Sequence, residues 1–194
     1  MDAAICDGAT LLASMYYEMK HQGKWTDQRG DNLLDGGTPF YGCFTCADGK
    51  FISIGPLEPQ FYQLLVQLCE IDDPVFAAKA QWDKSQWPQM RARLEQMFLS
   101  RSRDEWCELL EGTDACFAPV LDFSEAPNHP HNQARGMFFE SDGTIMPSPA
   151  PRLSRTPAAP GKIVKNGENT LEVLQQLGLS DEDIATLRAN GAIA

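Results

Sequence analysis

With 194 residues and 43% hydrophobic content, the chain can support one medium domain or a small domain with appendages. Its net charge of -11 and lack of any clustered Lys/Arg stripe exclude nucleic acid and anionic membrane surfaces as expected partners. No apolar run approaches a membrane span and no basic, apolar, small-residue order marks a signal peptide, so the expected compartment is the cytoplasm, where cysteines 6, 43, 46, 69, 107 and 116 stay free thiols.

Residues 1–22 read as a helix, because Leu12, Met15, Tyr16 and Met19 recur at intervals of three and four, with Asp2 or Asp7 near its start and His21 near its final carbonyls. That stripe is core or interdomain surface; a methionine-lined apolar groove is the alternative. Residues 23–38 are polar and glycine-rich, anchored by Trp25, and predict a long crossing segment.

Asp35, Gly36 and Gly37 mark a loop able to take positive φ, and Pro39 stiffens the entry to a strand. The alternation from Tyr41 to Cys46, the pair Asp48-Gly49 and the run Phe51 to Ile54 predict a β-hairpin. Cys43-x-x-Cys46 invites zinc or a redox pair, but no second pair at ligand spacing accompanies it, and strand positions three apart face opposite ways. No metal is expected there.

Gly55-Pro56 breaks the second strand, and Glu58-Pro59 opens an amphipathic helix with Phe61, Leu64, Leu65 and Leu68 at helical spacing. Pro59 suits the first helical position, which places Glu58 at the N-cap, where Ser, Thr, Asp and Asn are the favoured residues. Two readings follow. One is an acid at the positive end of a helix dipole, worth a few tenths of a kcal/mol. The other is a carboxylate held rigidly at the mouth of a site by a strand, a Pro-fixed turn and a helix.

Asp72-Asp73-Pro74 reads as a break, followed by a short helix from Phe76 to Ala80 and a longer one from about Gln86 to Phe98, with Met90, Leu94, Met97 and Phe98 on its buried face. Ser102-x-x-Glu105 is a capping-box pattern opening a helix from Arg103 to Leu110, stopped by Gly112. Ala115 to Leu121 reads as a short strand, which Pro119 places at an edge or end. His129-Pro130-His131, with Asp122 and Glu125 upstream, raises zinc, yet loop histidines without matched third and fourth ligands are more often solvated. Met137 to Glu140 and Thr144 to Met146, around Asp142-Gly143, predict a second hairpin. Residues 147–160 are proline-rich, as a wrap or a linker. Thr170 to Leu177 and Ser180 to Ala189 predict two short helices, the second too acidic for a DNA-reading helix-turn-helix.

Several of these stretches carry a resemblance. Asp31-Asn-Leu-Leu-Asp-Gly-Gly-Thr-Pro-Phe-Tyr41, Ala47-Asp-Gly-Lys50, Leu57-Glu-Pro-Gln-Phe-Tyr62, Arg103-Asp-Glu-Trp106, Gly112-Thr-Asp-Ala-Cys-Phe-Ala-Pro-Val120, Glu125-Ala-Pro-Asn-His-Pro-His-Asn132, Ala134-Arg-Gly136 and Pro149-Ala-Pro-Arg-Leu-Ser-Arg-Thr-Pro157 stand in one order. They resemble the α-methylacyl-CoA racemases, members of the family III CoA-transferases. Racemisation next to a thioester needs a base, an acid on the opposite face and donors for the enolate oxygen. The resembled enzymes take a histidine and an aspartate from a large CoA-binding domain and a supporting glutamate from the partner subunit's small domain. Glu58 matches that glutamate, and Leu34, Tyr41 and Leu57 match positions that line the same cleft. The histidine and aspartate motifs match nothing in this chain.

The resemblance therefore implies a C-terminal portion of an acyl-CoA racemase that epimerises 2-methylacyl-CoA thioesters, inactive alone. The expected fold is α+β: residues 1–38 as helical arm and crossing segment, 39–146 as a small mixed domain with hairpins, and 147–194 as a proline-rich wrap with terminal helices, the large CoA-binding domain being absent. No cofactor is expected beyond the coenzyme A carried by the substrate, whose three phosphates so acidic a chain would hold poorly. A homodimer, with or without swapped arms, is the expected assembly. The alternatives are the same architecture used for CoA transfer between carboxylic acids, and a non-catalytic dimerisation or interaction fragment.

Overall fold

In a computed structural model describing residues 2–193, the chain divides after Leu121 into two units, and each is mixed α and β. The first unit opens with α1 (Ile5–Leu12) and α2 (Ser14–His21) rather than one continuous helix. The break lies at Ala13, at φ -78° and ψ 0°. There the Ser14 hydroxyl donates to the Leu11 carbonyl at 2.6 Å, a local side-chain bond that competes with the helical ladder. Neither helix has a buried residue among those described, and Ile5, Leu11 and Leu12 stand largely in solvent. Met1, included in the expected helix, lies outside the described residues.

The hairpin forms as its alternation predicts. Strand β1 (Gly42–Thr45) pairs antiparallel with β2 (Phe51–Ile54) in the register Gly42↔Ile54, Thr45↔Phe51. Its turn is fastened by Asp48, whose carboxylate accepts the Lys50 N–H, and by Gly49 at φ 76°. Strand β3 (Phe117–Val120) adds to the other side of β2, so Pro119 lies on an edge strand where its missing N–H removes no shared ladder bond.

Helices α3 (Pro59–Leu68), α4 (Trp87–Phe98) and α5 (Arg103–Leu110) accompany this sheet. Phe40, Phe44, Ile52 and Ile54 join Tyr62 and Leu65 of α3, Met90, Leu94 and Phe98 of α4, and Trp106 and Leu110 of α5 in one apolar core. On α3 the deepest positions are Tyr62 and Leu65, while Phe61, Leu64 and Leu68 are half-buried. Edge-to-face contacts knit the centre, with ring centroids 5.3 Å apart for Phe40–Tyr62 and 5.1 Å for Phe98–Trp106. The capping box at α5 is complete: the Ser102 hydroxyl accepts the Glu105 N–H and the Glu105 carboxylate accepts the Ser102 N–H.

The helix expected from Phe76 to Ala80 is instead two separate 3-10 turns, Pro74–Phe76 and Ala78–Ala80. Asp73 caps the first by accepting the Val75 N–H, and Ala77, extended at ψ 141°, interrupts the run.

The second unit holds α6 (Pro130–Ala134), the hairpin of β4 (Phe138–Ser141) and β5 (Thr144–Pro147), then α7 (Thr170–Gln176) and α8 (Asp181–Ala189). Asp142 and Gly143 both take positive φ, as a two-residue hairpin turn requires. Ser180 and Asp183 form a capping box for α8, whose Ile184 is buried.

Candidate functional site

Local rules fix the backbone at Glu58. Strand β2 ends at Ile54, and the Gly55 N–H donates to the Cys116 carbonyl at 2.9 Å, so the chain leaves the sheet still tied to the head of β3. Pro56 is buried, and the Leu57 N–H turns back onto the Gly55 carbonyl at 2.9 Å. Pro59 bars the helical conformation from the residue before it, and Glu58 accordingly sits at φ -70°, ψ 140° as the N-cap of α3. Its carbonyl accepts the Tyr62 N–H at 3.0 Å to start the helix. The Glu58 carboxylate makes no capping hydrogen bond, and the residue is exposed. The acid is thus rigidly based and not engaged by its own helix.

Leu57 directly precedes it, and Tyr41 lies against the turn that leads to it. The Tyr41 ring lies across Gly55, with Cε2 and Cδ2 3.3 and 3.4 Å from where a β-carbon at Gly55 would stand, so a larger residue there would press on the ring. Both Tyr41 and Leu57 are half-buried. Leu34 is held on a separate segment, a loop closed by Asn32. That buried amide accepts the Thr26 N–H at 2.7 Å and donates to the carbonyls of Thr26 and Gln28 and to the Asp35 carboxylate. Burial alone would raise the Asp35 pKa, but hydrogen bonds from the Asn32 side chain and from the Asn32, Gly30 and Gly37 N–H groups together hold it below the usual carboxylate value. Gly37 must be glycine, because a β-carbon there would fall 2.6 Å from the Asn32 backbone nitrogen and oxygen.

Residues 81–84 join the two segments, and the sequence did not single them out for that role. The Gln81 side-chain amide, 1% exposed, donates to the Leu57 carbonyl at 2.9 Å, while Lys84 donates to the Asp31 carbonyl at 2.7 Å and pairs with its carboxylate at 3.3 Å. Trp82, half in solvent, meets Phe40 edge-on at 5.5 Å. Cys116 is the other residue the sequence reading missed. It holds φ 51° just before β3; although the residue is exposed, partial desolvation of its thiol first, then the charges of Glu58 and Asp114, push the pKa up. A thiol so placed is a poor nucleophile at neutral pH.

Tyr41, Leu57, Glu58, Gln81 and Cys116 therefore form one neighbourhood, tied through residues 81–84 to the loop that carries Leu34. It offers a carboxylate with an apolar flank, half of what two-sided proton transfer needs. Histidine is the usual complement, and of the three in the chain His21 ends α2, while His129 and His131 belong to the second unit. Cys43 is exposed and Cys46 buried, and no group of three or more His, Cys, Asp or Glu among the described residues is disposed to hold a metal ion. Open cavities of 590 and 490 Å³ on residues 63–89 are lined by none of the site residues. Both are open surface grooves.

Comparisons with known proteins place the chain in a family. Residues 1–163 match CoA-transferase family III, and the chain belongs to that family. It is 40% identical to the α-methylacyl-CoA racemase of Mus musculus over 194 residues, covering 98% of this chain and 50% of that protein. It is 37% identical to the Homo sapiens α-methylacyl-CoA racemase, over 100% of this chain and 51% of that protein. The chain thus spans about half the length of the curated relatives it matches. Among solved structures, Rv3272 from M. tuberculosis matches the fold with a TM-score of 0.59 at 20% identity, over 81% of this chain and 40% of that one. No helix among the described residues is long and apolar enough to cross a membrane.

Proposed function

We propose that this chain supplies the glutamate-bearing side of an acyl-CoA racemase site, acting on thioesters of 2-methyl-branched acids in the cytoplasm. The observation that carries the reading is Glu58: a carboxylate on a fixed N-cap, unengaged by its helix, in a chain similar to two α-methylacyl-CoA racemases. In this account Glu58 orients and charges a histidine from another part of the assembly, which removes or returns the α-proton. Tyr41, Leu57 and Leu34 flank the acyl chain. The coenzyme A belongs to the substrate, and no further cofactor takes part.

A single carboxylate cannot serve both faces of the α-carbon, so the chain alone does not racemise. The complementary groups come from the half that lies outside its match to the racemases, and the working assembly is a dimer in which Glu58 of one subunit serves the other. The exposed apolar residues of α1 and α2 are consistent with such an assembly. CoA transfer between carboxylic acids is the second reading, favoured by the family to which residues 1–163 belong.

The test is deuterium uptake at C2 of a 2-methylacyl-CoA in D2O, with the chain alone and with the chain mixed with the separately expressed, unmatched half of the mouse racemase. The expected result is no uptake alone and uptake in the mixture. Uptake by the chain alone overturns the need for a second half. CoA transfer to an added carboxylic acid, without uptake, replaces racemisation by the second reading.

A further inference from the structure

The peptide group between Leu57 and Glu58 is a single plane, so whatever holds the Leu57 carbonyl also sets the direction in which the Glu58 α-carbon leaves it. That carbonyl has a dedicated donor. The Gln81 side chain, 1% exposed and 24 positions along the chain, donates Nε2–H to it at 2.9 Å. Gln81 is itself pinned: its backbone carbonyl accepts the buried Trp87 indole N–H at 3.0 Å, and Trp87 is the first residue of α4. A continuous relay thus runs from the head of α4 through Trp87 and Gln81 to the peptide that presents Glu58.

Such a buried amide exceeds what holding two segments together requires. An apolar side chain of equal volume would fill the space with no desolvation cost, whereas an amide is tolerated there because it is hydrogen-bonded. Pro59 fixes the backbone after Glu58 and the Leu57–Gly55 turn fixes it before Leu57, leaving the tilt of the intervening peptide as the remaining freedom. Gln81 removes that freedom.

We infer that Gln81 is a positioning residue that sets the orientation of Glu58 by clamping the Leu57 carbonyl, with Trp87 as its anchor. Its consequence for catalysis rests on the racemase reading of Glu58; its consequence for the geometry of Glu58 does not. The experiment separates the two. Backbone ¹⁵N relaxation of the full 194-residue chain reads the order of Leu57 and Glu58 directly, and scalar coupling across the hydrogen bond from Gln81 Nε2–H to the Leu57 carbonyl tests the clamp in the unaltered protein.

In Gln81→Met, which keeps the volume and loses the donor, the order parameters of Leu57 and Glu58 are expected to fall from about 0.85 to below about 0.6 while Ile52 and Leu65 keep theirs. In Gln81→Glu the ionised side chain cannot donate, and order returns as the pH is lowered and the carboxyl regains its proton. That rescue keeps the inference testable if the methionine variant fails to fold. Unchanged order in Gln81→Met, no recovery in Gln81→Glu, or no coupling in the unaltered chain each overturns it.

In the mixture that takes up deuterium, Gln81→Met is expected to lower kcat about 10- to 100-fold, with KM unchanged within about twofold, the pattern of a displaced group rather than lost binding. If Glu58→Gln left uptake intact, the racemase reading would fail while the order measurement stood. If Glu58→Gln abolished uptake and Gln81→Met did not, the positioning role alone would fail.

Discussion

The helical arm of residues 5–21 and the loop of residues 26–38 invert the usual relation between polarity and burial. The arm carries Ile5, Leu11, Leu12, Met15 and Tyr17, and all five are exposed. The loop is polar and glycine-rich, yet it contains Asn32 at 3% exposure and Thr38 at 0%. The difference lies in where each segment satisfies itself. A helix meets its backbone hydrogen bonds internally and leaves its apolar stripe for a neighbour, so its burial depends on something packing against it. The loop lacks a ladder and closes instead through Asn32, Asp35 and Thr38, so its order is internal and its polar groups are the ones enclosed.

That contrast can be broken at three points. Asn32→Ala should have the largest effect, destabilising the first unit by about 1–3 kcal/mol, because Thr26 N–H, two carbonyls and the Asp35 carboxylate lose their partner in a closed space. Urea unfolding checks it, and an unmoved midpoint would show that the loop is not held from Asn32. A smaller effect follows from pH. The folded pKa of Asp35 is depressed, so its contribution is fully present above the ordinary carboxylate pKa and is lost as the pH falls through the lower folded value. Unfolding midpoints of the chain and of Asp35→Asn should therefore converge on acidification; a constant gap would contradict the network. The smallest change belongs to the arm. Leu12→Ser should shift the stability of the isolated chain by no more than about 0.5 kcal/mol, as for an exposed site, and a larger loss would reveal packing that the structure does not contain.

The hairpin, the N-cap position of Glu58, the α5 capping box and the edge strand with Pro119 were legible because each rests on chemistry local to a few residues. The single helix expected for residues 1–22 broke at Ala13 because a serine side chain found a backbone carbonyl, a choice that apolar periodicity does not register. Around the candidate site, the Pro59 signature and motif order singled out Glu58, and motif order alone singled out Leu34, Tyr41 and Leu57. Gln81 was not. It makes its decisive bond across 24 positions, lies between a 3-10 turn and an exposed tryptophan, and belongs to no periodic pattern. Cys116 stood in the sequence only as a free thiol and as part of a motif, since its place beside Glu58 depends on β3 pairing with β2.

The central claim is that Glu58 is the carboxylate this chain contributes to proton transfer, and it is tested most directly by Glu58→Gln in the deuterium-uptake mixture. Glu58 is exposed and makes no capping bond, so the variant should unfold at the same urea concentration as the unaltered chain. Its uptake rate should fall by about 10²-fold or more, the loss typical of a removed acid–base partner. Uptake at the unaltered rate by a folded Glu58→Gln chain would contradict the account.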